Sequence, residues 1–123
     1  MQDPDDMRVA DVMQSDVPAV PVNAFMRDAI LTMRRRGLRH VLAMDGERVV
    51  GVVSERDANW GDDRVRDAMS APVITVRPEA TLQEAAALMA EHDVHCLPVT
   101  SNGHPLGVLI ARDLLQALAR IVD

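Results

Sequence analysis

The feature that most constrains this chain is an internal repeat with a constant spacing of 56 residues. At this spacing, residues 8–57 align with residues 64–113 without a gap. Two unrelated segments would need gaps to match in this way, so we infer two copies of one structural unit. Thirteen positions are identical, and in the first copy they are Arg8, Val9, Asp11, Met13, Val17, Val20, Ala24, Ala29, Met33, Gly51, Val52, Arg56 and Asp57.

Two copies limit the architectures that the repeat can build. Solenoids and propellers have repeats of about this length, but they need three or more copies to bury a continuous core. Two copies with almost no linker predict a closed pair related by a pseudo-twofold axis, each covering the apolar face of the other. The 123 residues suit one module with one core. We place the copies at 8–60 and 64–121, after a short tail at 1–7.

Each copy is predicted to have the order β-α-β-β-α, which is an α+β fold. Short strands are expected at 17–22 and 73–76, each followed by a helix with an apolar stripe at helical spacing. Two further apolar runs flank a turn, at Asp45-Gly46 in the first copy and Asn102-Gly103 in the second. A second helix then follows, short after Asp57 and longer in the second copy.

Several residues predict where the first helix of each copy begins and ends. Asn23 is the expected cap in the first copy, and Gly37 is the expected stop. In the second copy, Thr81 and Glu84 have the spacing of a capping box, in which the Thr hydroxyl and the Glu carboxylate satisfy free amides of the first turn.

Composition excludes several classes of function. The net charge of −6 and the lack of a basic stripe argue against nucleic-acid binding. Phe25 and Trp60 are the only aromatic residues, so a face of stacking aromatics is not available. No apolar run approaches the ~20 residues of a membrane-spanning helix, and the first residues form no apolar signal region. We therefore expect a soluble cytoplasmic protein without membrane insertion.

At this point the residues resemble a known family, the CBS domain, named for cystathionine β-synthase. The resemblance covers about residues 8–118, and the ordered set of motifs occurs twice. The motifs are Val9-Ala10-Asp11-Val12-Met13 and Val65-Arg66-Asp67-Ala68-Met69, Thr81-Leu82-Gln83-Glu84-Ala85-Ala86, Leu97-Pro98-Val99, and Gly51-Val52-Val53-Ser54-Glu55-Arg56-Asp57.

The resemblance implies a tandem (Bateman) module that binds an adenosine-containing ligand between its repeats. AMP, ADP, ATP and S-adenosylmethionine are the expected ligands, and no catalytic cofactor is expected. Such modules are commonly homodimers that regulate a partner protein. The alternative is a dimeric interaction module that needs no ligand. No catalytic triad or phosphate-cradling glycine loop is evident, so we expect no enzymatic activity.

Ser54 and Asp57 are the strongest candidate ligand contacts. They lie where a strand is predicted to end and a helix to begin, where free amides and the helix dipole favour phosphate. The Ser54 hydroxyl could donate to a phosphate oxygen, and the Asp57 carboxylate could accept from ribose hydroxyls. The same spacing is also that of a helix capping box, so both interpretations stay open at this stage.

The second copy departs from this motif, because Ile110 replaces the hydroxyl residue and only Asp113 is kept. Leu42 also stands where the family often has proline. The resemblance implies two unequal clefts, each combining the motif of one repeat with strands of the other. The stronger cleft would comprise Ser54, Asp57, Val73, Ile74, Thr75, His95 and Pro98, and the weaker one Asp113, Val17, Ala19, Arg39 and His40.

Three further groups of residues are open to two interpretations. Arg39, with Arg34, Arg35 and Arg36, could bind a polyphosphate, or could form a solvated helix end. His92, His95 and Cys96 match no metal-site spacing well, so no metal is expected and Cys96 is interpreted as a buried apolar residue. The apolar helix faces could pack in the core or form a dimer interface, and the dimer prediction depends on Met26, Ile30, Met33, Leu82 and Met89.

Overall fold

The computed structural model describes residues 7–57, 63–71 and 73–121. Residues 1–6 of the tail expected at 1–7, Trp60 and the short helix expected after Asp57 lie outside the described residues. The elements in chain order are α1 (Val9–Val12), β1 (Ala19–Pro21), α2 (Met26–Arg36), β2 (His40–Asp45), β3 (Arg48–Ser54), a 3₁₀ helix (Glu55–Asp57), α3 (Val65–Ala68), α4 (Leu82–His92), β4 (Cys96–Ser101), β5 (His104–Ile110) and α5 (Ala111–Ile121).

The order of elements confirms the predicted α+β fold class and the repeat. Helices α1 and α3, helices α2 and α4, strands β2 and β4, and strands β3 and β5 are each related by the same spacing of 56 residues. Both hairpins even shift register at the equivalent place, after Ala43 in one and after Val99 in the other. The repeated sequence therefore specifies a repeated backbone. No helix within the described ranges has the length and apolar character required to cross a bilayer.

The chain divides into two compact units that are not the two sequence repeats. The first unit comprises residues 17–73, and the second unit comprises residues 1–16 together with residues 74–123. Each unit therefore contains the opening helix of the other repeat. Val9 at the start of α1 donates its amide to the Ala80 carbonyl of the second unit, and Val65 at the start of α3 donates equivalently to Ala24 of the first.

Both opening helices are held by burial of their first residue. Val9 and Val65 are each 0% exposed, and each lies in the hydrophobic core of the unit on which its helix packs. Complete burial of a valine contributes about 1.5–3 kcal/mol relative to leaving it exposed. This burial explains why a helix of only four residues forms at each place.

The first unit contains a three-stranded sheet in the order β1-β2-β3, with β1 parallel and β3 antiparallel to β2. Its core lies between this sheet and the helices α2 and α3. The buried residues of the core are Met26, Ala29, Met33, Val41, Ala43, Val53 and Val65.

The second unit pairs β4 with β5, but the strand expected at 73–76 is wrong apart from one residue. Val76 alone forms a parallel bridge to β4, donating its amide to the Pro98 carbonyl. In the first unit, the equivalent ladder includes a bond from the Leu42 amide to the Pro18 carbonyl. Pro98 stands at the position of Leu42 and has no amide, so the second unit cannot make this bond and its ladder is shorter.

Helix capping confirms part of the prediction. The Thr81 hydroxyl accepts a hydrogen bond from the Glu84 amide, and Gly37 ends α2 with φ of 64°. The prediction that Asn23 caps α2 is wrong. A turn, in which the Ala24 amide donates to a carbonyl three residues earlier, delays the helix, so that Phe25 occupies the N-cap without a side-chain bond.

The two hairpins have two-residue loops at equivalent positions, but different residues supply the positive φ angles. Asn102 and Gly103 form the predicted two-residue loop of the second hairpin, both with positive φ (53° and 84°). In the first hairpin the loop is Gly46-Glu47, one residue later than expected, because Asp45 still pairs with β3. Gly46 supplies the positive φ of 60° without steric cost.

The apolar helix residues on which the dimer prediction depended are buried, and Met26, Met33, Leu82 and Met89 lie in the hydrophobic cores of the two units. They are 0–7% exposed, so they cannot also form an interface, and this basis for the dimer is wrong. The five residues are Met26, Ile30, Met33, Leu82 and Met89.

Candidate functional site

The structure brings Ser54 and Asp57 together at the end of β3. The Ser54 amide donates to Asp57 Oδ2 at 2.8 Å, and the Ser54 hydroxyl lies 3.2 Å from the same oxygen. Both residues are half-buried. The Asp57 carboxylate is therefore held in place by the backbone amide of Ser54, and its remaining lone pairs are available to other donors.

The local sequence accounts for this geometry. Ser54 is the last residue of β3, and the backbone turns at once into the 3₁₀ helix. A carboxylate three residues later can then reach back to the free amide at the strand end, which is the capping interaction that the spacing also predicted. Glu55, one of the two residues between them, accepts from Arg34 of α2 at 2.7 Å and 3.0 Å.

The equivalent place in the second unit has different chemistry. Ile110 ends β5 and provides no hydroxyl, and the half-buried Asp113 lies in the first turn of α5. Asp113 Oδ2 accepts a hydrogen bond from Gln14 Nε2 at 3.0 Å. A side chain that is 99 residues away in the sequence thus takes the place that Ser54 has in the first unit.

Gln14 was not found by sequence reasoning, since nothing in its local pattern indicates a partner so far along the chain. The first copy has Gln14 where the second has Ser70, and the second copy has Ile110 where the first has Ser54. Only 13 of the 50 aligned positions are identical, so these two differences do not stand out from the others.

The backbone of Gln14 is held firmly against β5. Its amide donates to the Val108 carbonyl at 2.8 Å, and its carbonyl accepts from the Val108 amide at 2.9 Å. The neighbouring Gly107 permits this approach, because a Cβ there would lie 2.2 Å from the Gln14 carbonyl oxygen. Because the Gln14 backbone is fixed, only the side-chain torsions must be ordered when Gln14 binds Asp113.

The other residues predicted for the stronger cleft are placed as follows. Val73, Ile74 and Thr75 form a half-buried segment before the bridge to β4. His95 is exposed just before β4, and its carbonyl accepts from the amide of Ala111, while Pro98 is buried within β4. Their grouping with Ser54 and Asp57 stays a prediction.

The residues predicted for the weaker cleft lie mostly in the first unit. Val17 is half-buried, Ala19 is exposed in β1, Arg39 is exposed, and His40 is the half-buried first residue of β2. Their grouping with Asp113 likewise stays a prediction.

Two other candidate groups are clarified by the structure. Arg34 forms an ion pair with Glu55, so one member of the arginine cluster has a protein partner rather than an open guanidinium. Cys96 keeps some exposure as a residue, but burial of its thiol raises the pKa to about 12 from 9.0. Within the described residues, no three His, Cys, Asp or Glu side chains are arranged to hold a metal ion.

A groove of about 290 Å³ lies in the second unit between α1 and α5. Asp113 forms part of its wall, so the Asp113 carboxylate borders both Gln14 and this groove. The remaining lining residues are Met7, Asp11, Val12, Gln116, Ala117 and Arg120.

Comparison with known proteins identifies the repeat. The family model described as CBS domain matches residues 9–58 and 65–120. An inosine-5'-monophosphate dehydrogenase from Korarchaeum cryptofilum is 34% identical over 103 residues, covering 80% of this chain and 22% of that protein. The arabinose 5-phosphate isomerase KdsD of Escherichia coli is 32% identical over 122 residues, covering 90% of this chain and 37% of that protein. The chain spans well under half the length of these two relatives.

Solved structures share the fold. A protein with CBS domains from Burkholderia ambifaria superposes with a TM-score of 0.82 at 29% identity, covering 95% of this chain and 97% of that one. The cytosolic domain of the Mg²⁺ channel MgtE in complex with ATP gives 0.78 at 27% identity, covering 89% and 48%. The CBS domain pair of protein MJ0100, in complex with 5'-methylthioadenosine and S-adenosyl-L-methionine, gives 0.84 at 16% identity, covering 93% and 97%.

Proposed function

Because this chain belongs to the CBS domain family, we propose that it is a regulatory module that binds an adenosine-containing nucleotide through Ser54 and Asp57. The nucleotide would be AMP, ADP, ATP or S-adenosylmethionine. Its binding would modulate the activity of a partner protein. The resemblance to this family, rather than the buried helix residues, is what supports a homodimer in the cytoplasm as the setting of this function.

The observation that carries the proposal is the arrangement of Ser54 and Asp57. A ribose presents two neighbouring hydroxyl donors, and an ionised carboxylate is an acceptor with two oxygens. Asp57 is held by the Ser54 amide at 2.8 Å, so little conformational entropy is lost when a ribose binds. Its half-burial strengthens hydrogen bonds relative to bulk water while leaving the carboxylate accessible.

Ser54 would act on the phosphate side of the nucleotide. Its hydroxyl now donates to Asp57 over 3.2 Å, which is long for an O–H···O bond. A hydroxyl can rotate about its C–O bond, so it can donate to a phosphate oxygen instead while the backbone amide keeps Asp57 in position.

The preference for adenosine is supported by the solved relatives. The MgtE domain was solved with ATP, and the MJ0100 pair with 5'-methylthioadenosine and S-adenosyl-L-methionine. Those three ligands share adenosine and differ beyond the ribose, which favours recognition of the nucleoside. Regulation requires in addition that the nucleotide bind one state of the module more tightly than another.

A thermal-shift screen followed by calorimetry tests the proposal. AMP, ADP, ATP and S-adenosylmethionine are compared with guanosine nucleotides. A ligand at 100 times its dissociation constant stabilises the fold by about 2.7 kcal/mol. We expect Asp57→Asn to weaken the affinity by about tenfold or more, because a hydrogen bond to a charged group contributes about 1.5–3 kcal/mol.

The matched control is Asp28→Asn on the exposed first turn of α2, which removes one negative charge far along the chain from the motif. It should leave the affinity unchanged. Equal affinities of the parent, Asp57→Asn and Asp28→Asn chains would refute the assignment of the ribose contact.

A second candidate function is a ligand-independent interaction module. The Ser54–Asp57 contacts are also those of a backbone cap, and Leu31 and Leu115 are 47% and 65% exposed on their helices. This alternative predicts no thermal shift with any nucleotide. It also predicts that Leu115→Asp weakens self-association or binding of a partner protein, measured by sedimentation.

A further inference from the structure

We propose that Gln14 and Ile110 together close the Asp113 motif, so that each chain binds one nucleotide, at Ser54 and Asp57. This inference rests on the proposed function and concerns the number of sites. The Gln14 side chain binds the Asp113 carboxylate oxygen that a ribose hydroxyl would otherwise use as its acceptor.

Gln14 Nε2 donates a hydrogen bond to Asp113 Oδ2 at 3.0 Å. An ionised carboxylate only accepts, so the amide must present its NH₂ group to it. One carboxylate oxygen is then occupied by a donor from the protein. Both residues are half-buried, so this bond is stronger than it would be in bulk water.

The backbone of Gln14 cannot withdraw, so its side-chain amide stays within reach of Asp113. Its backbone exchanges two hydrogen bonds with Val108, at 2.8 Å and 2.9 Å, on a strand that approaches closely at Gly107. Ser54 differs in this respect, because its hydroxyl needs only to rotate in order to leave Asp57. A ribose can therefore replace the Ser54 hydroxyl as a donor while the Ser54 amide stays on Asp57 Oδ2, whereas at Asp113 it must displace the side-chain amide of a residue whose backbone is fixed close by.

Ile110 removes the phosphate contact. Its side chain has no hydrogen-bond donor, so a nucleotide at this motif would lose the side-chain contact to phosphate as well as the ribose contact. The two substitutions act on different parts of the same ligand. Removal of one alone should not restore binding.

Isothermal titration with ATP, AMP and S-adenosylmethionine as separate probes measures the number of sites per chain. We expect one site in the parent, in Ile110→Ser and in Gln14→Ser, and two sites in the double variant. Two sites in the parent or in Ile110→Ser alone would overturn the role of Gln14, and so would a single site in a folded double variant. A parent that binds none of the three probes overturns both the proposed function and the stoichiometry.

The reciprocal change guards against a double variant that does not fold. Ser70 is the counterpart of Gln14, and its amide makes the equivalent bridge to Val52. Ser70→Gln should place an amide within reach of Asp57 and weaken nucleotide binding by about tenfold or more. Ser70→Ala, the matched control, should bind as the parent does, and an unchanged affinity in Ser70→Gln would contradict the proposal.

A measurement without nucleotide separates the contact from the function. Asp113→Asn should shift the side-chain amide resonances of Gln14, because it replaces the carboxylate that accepts their hydrogen bond. If these resonances are the same in the parent and in Asp113→Asn, the Gln14 contact is refuted even when the parent binds nucleotide at one site.

Discussion

Two glycines at equivalent positions provide a controlled test of how the chain is held together. An added Cβ at Gly107 would lie 2.2 Å from the carbonyl oxygen of Gln14, which is a backbone atom. An added Cβ at Gly51 would lie 2.6 Å from the sulfur of Met69, which is near the end of a flexible side chain. Alanine should therefore be costly at Gly107 and much less costly at Gly51.

The magnitude at Gly107 follows from the distances. An ordinary carbon–oxygen contact needs about 3.4 Å, so the Gln14 carbonyl must retreat by about 1.2 Å. That displacement breaks or weakens two hydrogen bonds with Val108, worth about 1 kcal/mol each, and adds a packing cost of about 1–3 kcal/mol. Alanine also lowers the conformational entropy of the unfolded chain, which raises the free energy of unfolding by about 0.4–1 kcal/mol. The net loss in the free energy of unfolding should be about 2–4 kcal/mol.

At Gly51 the thioether of Met69 can move to another rotamer, as methionine does readily. We expect Gly51→Ala to change the free energy of unfolding by less than about 1 kcal/mol. Urea unfolding followed by circular dichroism measures both variants, and the m values should match that of the parent. For a chain of this size, Gly107→Ala should lower Tm by about 4 °C per kcal/mol.

The outcome has a second readout, since a displaced Gln14 backbone also carries the Gln14 side chain away from Asp113. The shift of the Gln14 amide resonances that Asp113→Asn causes should therefore be lost in the Gly107→Ala chain and kept in the Gly51→Ala chain. Equal destabilisation by the two variants would refute the argument from the close backbone approach, and so would a stable Gly107→Ala that keeps the shift.

Three other predictions concern single features of the fold. Burial raises the pKa of the Cys96 thiol from 9.0 to about 12. At pH 8 this thiol should therefore react with a disulfide reagent only after urea unfolding. The contribution of the buried thiol to the free energy of unfolding is present below pH 9 and is lost as pH rises toward 12. Asp93 ends α4 with φ of 52°, where Gly37 ends α2 with φ of 64°; Asp93→Gly should raise the free energy of unfolding by about 0.5–1 kcal/mol, and Gly37→Asp should lower it, by urea titration. The ion pair of Arg34 with Glu55 is exposed on both sides, so Arg34→Ala should change stability by less than about 0.5 kcal/mol, and a larger loss would show that the pair is not merely a surface contact.

Much of the fold was predictable from the sequence because its determinants are local. The 56-residue spacing, the apolar stripes and the turn residues such as Gly37 and Asn102 each act within a few positions of the backbone. They predicted the order of the later elements and most helix and hairpin limits, but not the opening helices α1 and α3. The capping geometry at Thr81 followed for the same reason, since its bond joins residues three apart.

The predictions from sequence were wrong where the structure depends on a group far along the chain or on a group that a residue lacks. The strand at 73–76 is reduced to the Val76 bridge because Pro98, on another strand, has no amide. The apolar residues assigned to a dimer interface proved to be core, since the pattern shows that a helix has an apolar face but not what covers it. The compact units also exchange their opening helices, which repeat boundaries do not reveal.

At the candidate site, the sequence by itself determined which residue types are present: a hydroxyl and a carboxylate at Ser54 and Asp57, and a carboxylate without a hydroxyl at Asp113. Only the tertiary structure decided what Asp113 binds. Gln14 reaches it across 99 residues because β5 holds its backbone through Val108. A hydrogen bond depends on distance and angle in space, and between residues so far apart in the chain only the folded backbone sets them.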